Sequence, residues 1–237
     1  MKERSKKYNE MLKEKKEERL YEIDEAVDKL KSMSGKRKFD ETVDMAIHLG
    51  IDVKKLQQPV RGSIVLPHGS GKAVRILVFA TGEDVEKAKA AGADYVGGEE
   101  LAEKIKNGFL DFDSVVATPE MMKVVSPLGK ILGPRGLMPN PKSGTVTKDI
   151  KGIITELKKG RIEFRMDKDG NLHIPVGKSS FDKEGLIENI KAALKAVVSA
   201  RPSTVKGNYI RNISLSLTMS PSLKIDTGKI LKEIEVI

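Results

Sequence analysis

Two textures alternate along this chain, and together they predict a mixed α/β and α+β protein of two domains. Near both ends, apolar and polar residues alternate at period two, the mark of strands buried on one face. In the middle, short apolar runs are followed by helical segments, which implies a small parallel sheet. The simplest arrangement is a discontinuous outer α+β domain, residues 1–68 plus 160–237, with an antiparallel sheet. It holds an inserted Rossmann-like α/β domain, residues 69–159, with a small parallel sheet. Two chain crossings, near Pro67–Gly71 and near Lys158–Gly160, would form a double hinge.

Lys2–Lys31 is expected to be helical, charged on every face up to Arg19, with its buried part from Asp24 to Leu30. Val43, Met45, Ile47 and Leu49 alternate with Thr42, Asp44, Ala46 and His48, a half-buried strand stopped by Gly50. A second strand is expected over Gly62–Leu66. Val74–Ala80 is apolar enough to be buried on both faces. A helix from Glu83 to Ala91, a short strand at Tyr95–Val96, a helix from Glu99 to Lys106 and a strand at Ser114–Thr118 follow. Pro119 then suits a helix start. A helix from Asp149 to Lys159 closes the insert. Ile162, Phe164 and Met166 face one way on a strand, Asp167–Asn171 turns, and Leu172, Ile174 and Val176 return as the second strand of a hairpin. Leu186–Val198 is an amphipathic helix. Ile213, Leu215, Leu217 and Met219 alternate with Asn212, Ser214, Ser216 and Thr218 on a last strand, ended by Pro221.

Charge points toward a polyanionic partner. The 237 residues hold 43 Lys plus Arg against 34 Asp plus Glu, net +9, with a sequence pI near 9.4. Nucleic-acid binding draws on such an excess through counterion release. The outer segments carry most of it, 29 bases and 22 acids against 14 and 12 in the insert. With no cysteine, disulfides and thiolate metal sites are excluded, and the chain fits a reducing cytoplasm. The three histidines, His48, His68 and His173, are scattered, so no metal is expected. No apolar run approaches the ~18 residues of a membrane helix. The charged Lys2–Arg19 segment is not a signal peptide.

One stretch of the insert stands apart. Leu128–Lys142 has three glycines and three prolines, so it forms neither one helix nor one strand. It carries Lys130, Arg135 and Lys142, and from Met121 through Lys148 there are five bases and no acid. A stiff, cationic, acid-free segment suits a polyanion and makes these three a possible secondary RNA contact. A Pro/Gly-stiffened surface loop pinned by its apolar residues is the plain alternative.

Familiar motifs fail on spacing. Gly177-Lys178-Ser179 resembles the end of a phosphate loop, but Leu172 stands where the first glycine belongs. Gly69-Ser70-Gly71-Lys72 lacks that glycine too, and Ala73 replaces the metal-binding hydroxyl. No Gly-x-Gly-x-x-Gly follows the first insert strand. Asp167-x-Asp169-Gly170 has the wrong spacing for a calcium loop and suits a turn. No catalytic constellation stands out.

The last strand is more informative. Its polar face presents Asn212, Ser214, Ser216 and Thr218, and Arg201–Lys224 holds four bases and no acid. Short hydroxyls flanked by cations can lie against a sugar-phosphate backbone and bond 2′-hydroxyls. An ordinary solvated sheet face is the alternative. Phe39, in Lys36-Arg37-Lys38-Phe39, suits stacking on a base or anchoring of the first strand.

These segments resemble the bacterial large-subunit ribosomal protein one family. The likeness runs in order through Lys38-Phe39-Asp40-Glu41-Thr42-Val43, Leu66-Pro67-His68-Gly69, Ala91-Gly92-Ala93-Asp94-Tyr95-Val96-Gly97-Gly98, Ile131–Pro141, Gly160–Arg165, Pro175-Val176-Gly177-Lys178 and Thr218-Met219-Ser220-Pro221. It implies a two-domain protein with this insertion, bound to large-subunit rRNA at the ribosome's mobile lateral stalk. It further implies repression of its own operon through that operon's mRNA, and a part in the departure of exit-site tRNA. Phe39, Thr42, Thr218 and Met219 carry over as RNA contacts. Ser220 stands where the family usually has glycine. Lys38, Lys178, Ser214 and Ser216 join them on position and chemistry. No enzyme activity and no cofactor are expected, and the free protein is expected to be monomeric. The alternative is a small α/β enzyme acting on phosphorylated substrates.

Overall fold

The computed structural model describes residues 5–15, 19–34, 38–51, 59–203, 205 and 207–235. In chain order the elements are α1 (Lys6–Glu14), α2 (Ile23–Met33), β1 (Thr42–Leu49), β2 (Arg61–Val65), β3 (Ile76–Phe79), α3 (Glu83–Ala90), β4 (Tyr95–Gly97), α4 (Glu99–Lys106), β5 (Ser114–Ala117), α5 (Met122–Val125) and α6 (Gly129–Leu132). Then come α7 (Ile150–Lys158), β6 (Arg161–Arg165), β7 (Asn171–Lys178), α8 (Lys183–Ser199), β8 (Ile210–Leu217), β9 (Leu223–Ile225) and α9 (Thr227–Glu235). The chain divides into two compact units, Met1–Gly71 with Gly160–Ile237, and Lys72–Lys159. The fold class is the mixed one the two textures imply, an antiparallel sheet in one unit and a parallel sheet in the other.

The first unit is built on a four-stranded sheet of order β7-β1-β8-β9, antiparallel throughout. Alternation on β1 buries Val43, Met45, Ile47 and Leu49, and leaves Thr42, Asp44, Ala46 and His48 on the other face. The buried face meets two helices. α2 brings Ala26, Val27, Leu30 and Met33, at helical spacing. α8 brings Leu186, Ile190, Ala193, Leu194 and Val197. Each large side chain so buried stabilises by roughly 1.5–3 kcal/mol. β2 and β6 form a separate antiparallel pair in the same unit.

A buried polar group fastens the end of this unit. Asn189 of α8 has no exposed surface. Its amide donates to Gly69 O at 3.1 Å and Val176 O at 2.8 Å, and its Oδ1 accepts the His68 N–H at 3.0 Å. Alongside, Gly160 adopts φ +98°, and a Cβ there would sit 2.5 Å from Gly69 Cα. Only glycine fits where these two backbone segments touch.

In the second unit β3 lies between β4 and β5, all parallel. Each β3 residue is buried, because helices cover both faces. Leu77 and Phe79 pack with α4 and with the Met121–Leu132 segment, while Ile76 and Val78 pack with α7. Asp149 caps α7, accepting the Gly152 N–H at 3.0 Å.

Five expectations change. The strand expected to run on to Pro221 ends at Leu217, so Met219 lies in the turn beyond it and is exposed instead of facing the core. The N-terminal helix is two helices, because Tyr21 is extended and pairs with the strand end, donating to Lys224 O at 2.9 Å and accepting from Asp226 N at 3.0 Å. Met11 of α1 is buried, so this helix is not solvated all round. The helix expected at Pro119 starts at Met122 and is a single turn. Finally, β6 and β7 are not one hairpin. The Asp167–Asn171 turn closes, with Asp167 N donating to Asn171 O at 2.9 Å, and then the strands part to pair with β2 and β1.

Candidate nucleic-acid interface

Antiparallel pairing brings the start of β1 beside the ends of β7 and β8. Thr42 stands opposite Lys178, and Val43 opposite Leu217. Phe39, Thr42, Lys178, Thr218 and Met219, far apart in sequence, therefore meet at one end of the sheet. Phe39 is 53 % exposed and Met219 49 %, which removes the alternative that Phe39 anchors the core. Two large apolar side chains left in water beside polar groups are well placed to stack on or pack against a base or sugar. Lys38 is exposed next to Phe39.

Hydrogen bonds stiffen this end. Thr42 N–H donates to Thr218 Oγ1 at 3.1 Å, and Thr218 N–H returns a bond to Thr42 O at 3.1 Å. Lys178 Nζ donates to Thr42 Oγ1 at 2.8 Å. Glu41 was not among the sequence candidates, yet it is only 3 % exposed and its Oε1 accepts the Met219 N–H at 3.1 Å. It holds the turn that presents Met219. Asp40 accepts from Ser179 Oγ at 2.8 Å, Ser180 N at 3.1 Å and Ser180 Oγ at 2.7 Å. The Ser180 hydroxyl bond, ahead of the others, holds the Asp40 carboxyl below its usual range. Ser179 is thus committed to a structural bond, as befits a sequence that fails as a phosphate loop.

Ser220 serves the turn rather than disturbing it. Its hydroxyl accepts the Leu217 N–H at 2.9 Å and donates to Pro221 O at 3.1 Å. Ser214 and Ser216 lie half-buried on the open face of β8, away from the core. That face is not free of acid. Pairing sets Asp44 directly opposite Ser216, and burial pushes the Asp44 carboxyl up, against the pull of His173 and Lys178. Counting acids along β8 alone misses it.

Lys130 and Arg135 belong to the second unit. Lys130 is exposed on α6 and Arg135 is exposed on the turn that follows. Lys142 lies in a single 3-10 turn, Pro141–Ser143. The apolar residues of this segment do pin it, since Leu128 and Leu132 are fully buried. Asp167 accepts from Asp169 N at 2.9 Å, Asn171 N at 2.7 Å and Asn171 Nδ2 at 3.1 Å, so its carboxylate is spent on the turn. Among the described residues no group of three His, Asp or Glu could hold a metal ion, and no helix is long and apolar enough to cross a membrane.

A discontinuous α+β unit with an open sheet end thus carries an inserted α/β unit. Residues 30–221 match the ribosomal protein L1p/L10e family, and the chain belongs to it. The large ribosomal subunit protein uL1 of Thermosipho africanus is 57% identical over 227 residues, spanning 95% of this chain and 97% of that protein. That of Persephonella marina is 54% identical over 238 residues, 99% and 98% of the two chains. The family is structural and not enzymatic, so the reading as an enzyme of phosphorylated substrates is set aside.

Proposed function

We propose that this protein is a constituent of the large ribosomal subunit that binds the rRNA of the mobile lateral stalk through the β1-β7-β8 end of its sheet. The observation that carries the reading is the convergence of exposed Phe39 and Met219 with Thr42, Thr218 and Lys178. Lys38, Ser214, Ser216 and Ser220 complete the surface. Residues 1–68 with 160–237 act as the RNA-binding domain, and 69–159 as the insert, whose Lys130, Arg135 and Lys142 make secondary contacts. The same surface binds its own operon's mRNA and represses translation there, since one rigid site accepts any RNA that reproduces the stalk fold. Assistance to deacylated tRNA leaving the exit site completes the function, in the cytoplasm, by a protein monomeric when free. Family membership and a net charge of +9 support the reading. The test is affinity for a stalk rRNA fragment against an unrelated RNA duplex across salt concentrations. Specific binding at least a hundredfold tighter is expected. Equal affinities would overturn the assignment.

A further inference from the structure

Lys178 is held unlike the other lysine of the sheet end. Lys38 is exposed, whereas Lys178 is half-buried and its Nζ donates to Thr42 Oγ1 at 2.8 Å. The cause lies along its stem. Phe181 N–H donates to Lys178 O at 3.0 Å and folds the chain back over the end of β7. The Phe181 ring packs on Gly177, where a Cβ would come within 3.0 Å of its Cδ2. The segment that leaves for the insert reaches the same place. Gly71 adopts φ +70°, and a Cβ there would sit 2.6 Å from Lys178 Cγ and 2.9 Å from the Phe181 ring. Lysine stem, ring and bare backbone thus converge on one point. Upstream, Asn189 fixes the leaving segment through Gly69 O and the His68 N–H.

A free lysine stem is flexible, and fixing it on a ligand costs conformational entropy. A stem already held by the fold has given up that freedom, so less is lost when an anion arrives. An aromatic ring and a glycine backbone suit methylenes and leave the ammonium in water at the rim. Glycine is needed at position 71, because a Cβ would press on Cγ near the root of the lysine, and the stem could not yield without moving Nζ. Resting on the reading of this sheet end as an RNA site, we infer that Phe181 and Gly71 position Lys178, holding its ammonium beside Thr42 before RNA arrives. Phe181 is thus a positioning residue, which raises affinity through Lys178 alone. The segment Gly69–Gly71, besides connecting the chain, helps to set the aim of a cation.

The test uses the full-length protein, with carbon-13 relaxation of its lysine ε-methylenes and titration against a stalk rRNA fragment. In the free protein the Lys178 ε-methylene should be more ordered than that of Lys38, and Phe181→Ala should loosen it to the Lys38 level. Phe181→Ala should bind the fragment about fivefold more weakly, ~1 kcal/mol. In a Lys178→Ala background the same change should cost less than about twofold, because no stem is left to hold. Gly71→Ala, which crowds the stem from the other side, should give the same pair of results and stands in should Phe181→Ala fail to fold. If these variants bind as wild type, or lose as much affinity without Lys178 as with it, the inference is wrong. A Lys178 stem as mobile as that of Lys38 in the wild-type protein would overturn it as well. Equal affinity of the wild-type protein for the fragment and for unrelated RNA would instead remove the RNA reading, while the relaxation measurement still judges the positioning.

Discussion

Replacing Thr218 by Val tests the interface through a single oxygen. The two side chains are nearly the same size, so packing changes little. Oγ1 has two duties in the structure. It accepts the Thr42 N–H at 3.1 Å, which ties the end of β8 to the start of β1. Its own proton goes to Thr42 O at 3.5 Å, a long bond that an RNA acceptor can displace at little cost. The first loss should lower stability by about 0.5–1.5 kcal/mol, because Thr42 is half-buried and water replaces the bond in part. The second should lower affinity for stalk rRNA by about 1–2 kcal/mol, roughly five- to thirtyfold. Thr218→Ser keeps both duties and should behave as wild type in both respects. Urea unfolding measures the first effect. Filter or fluorescence titration against stalk rRNA and an unrelated RNA measures the second. Equal loss on both RNAs, or a Ser variant as impaired as Val, would refute the division of labour between the oxygen and the neighbouring cations.

Three other outcomes follow from the same geometry. Glu41→Ala leaves the Met219 N–H without its acceptor and should cost about 1.5–3 kcal/mol in urea unfolding, while Glu41→Gln, which keeps Oε1, should recover most of it. Lys178→Ala should weaken binding to every RNA alike and reduce the slope of log affinity against log salt by about one contact, as titrations at several salt concentrations will show. In the second unit Lys72, more than Arg75, brings the Asp113 carboxyl from 3.8 down to about 2. A depressed acid stabilises above its unfolded value, so about 1–2 kcal/mol, discounted for its exposed partners, should be present at neutral pH and lost as pH falls through 3.8 toward 2. Unfolding curves of Asp113→Asn and wild type should differ at pH 7 and converge near pH 2.

The strands β1 and β8 are legible because one face of each is buried, so hydrophobicity repeats at period two along all of β1 and from Ile213 to Leu217 in β8. The buried strand β3 and the long helix α8 are legible for the same reason, a pattern long enough to stand out. Partners are not. Period two says which way a side chain points and nothing of which strand lies beside it, so β6 and β7 look like a hairpin while pairing elsewhere. β9 is three residues long, and Leu223-Lys224-Ile225 carries too little alternation to notice. At the candidate interface, Phe39, Thr42, Thr218 and Met219 come from a family motif, not from any pattern that joins them. Glu41 escapes because a buried acid is spelled like a surface one, although two acids directly after Phe39 are a hint. Asp44 escapes because β8 itself holds no acid, whereas a sheet face is made by several strands at once.

The contact of Gly160 with Gly69 has a consequence for how the two units depend on each other. The chain leaves the first unit and returns to it through backbone segments that touch, and Asn189 fastens one of them. Were Lys72–Lys159 unfolded, it would be a loop of roughly ninety residues tied at both ends, and holding those ends together would cost about 4 kcal/mol of chain entropy. A folded insert with its ends already adjacent removes that cost. The inserted unit therefore acts on the first as a covalent brace, lending it cooperativity through connectivity alone.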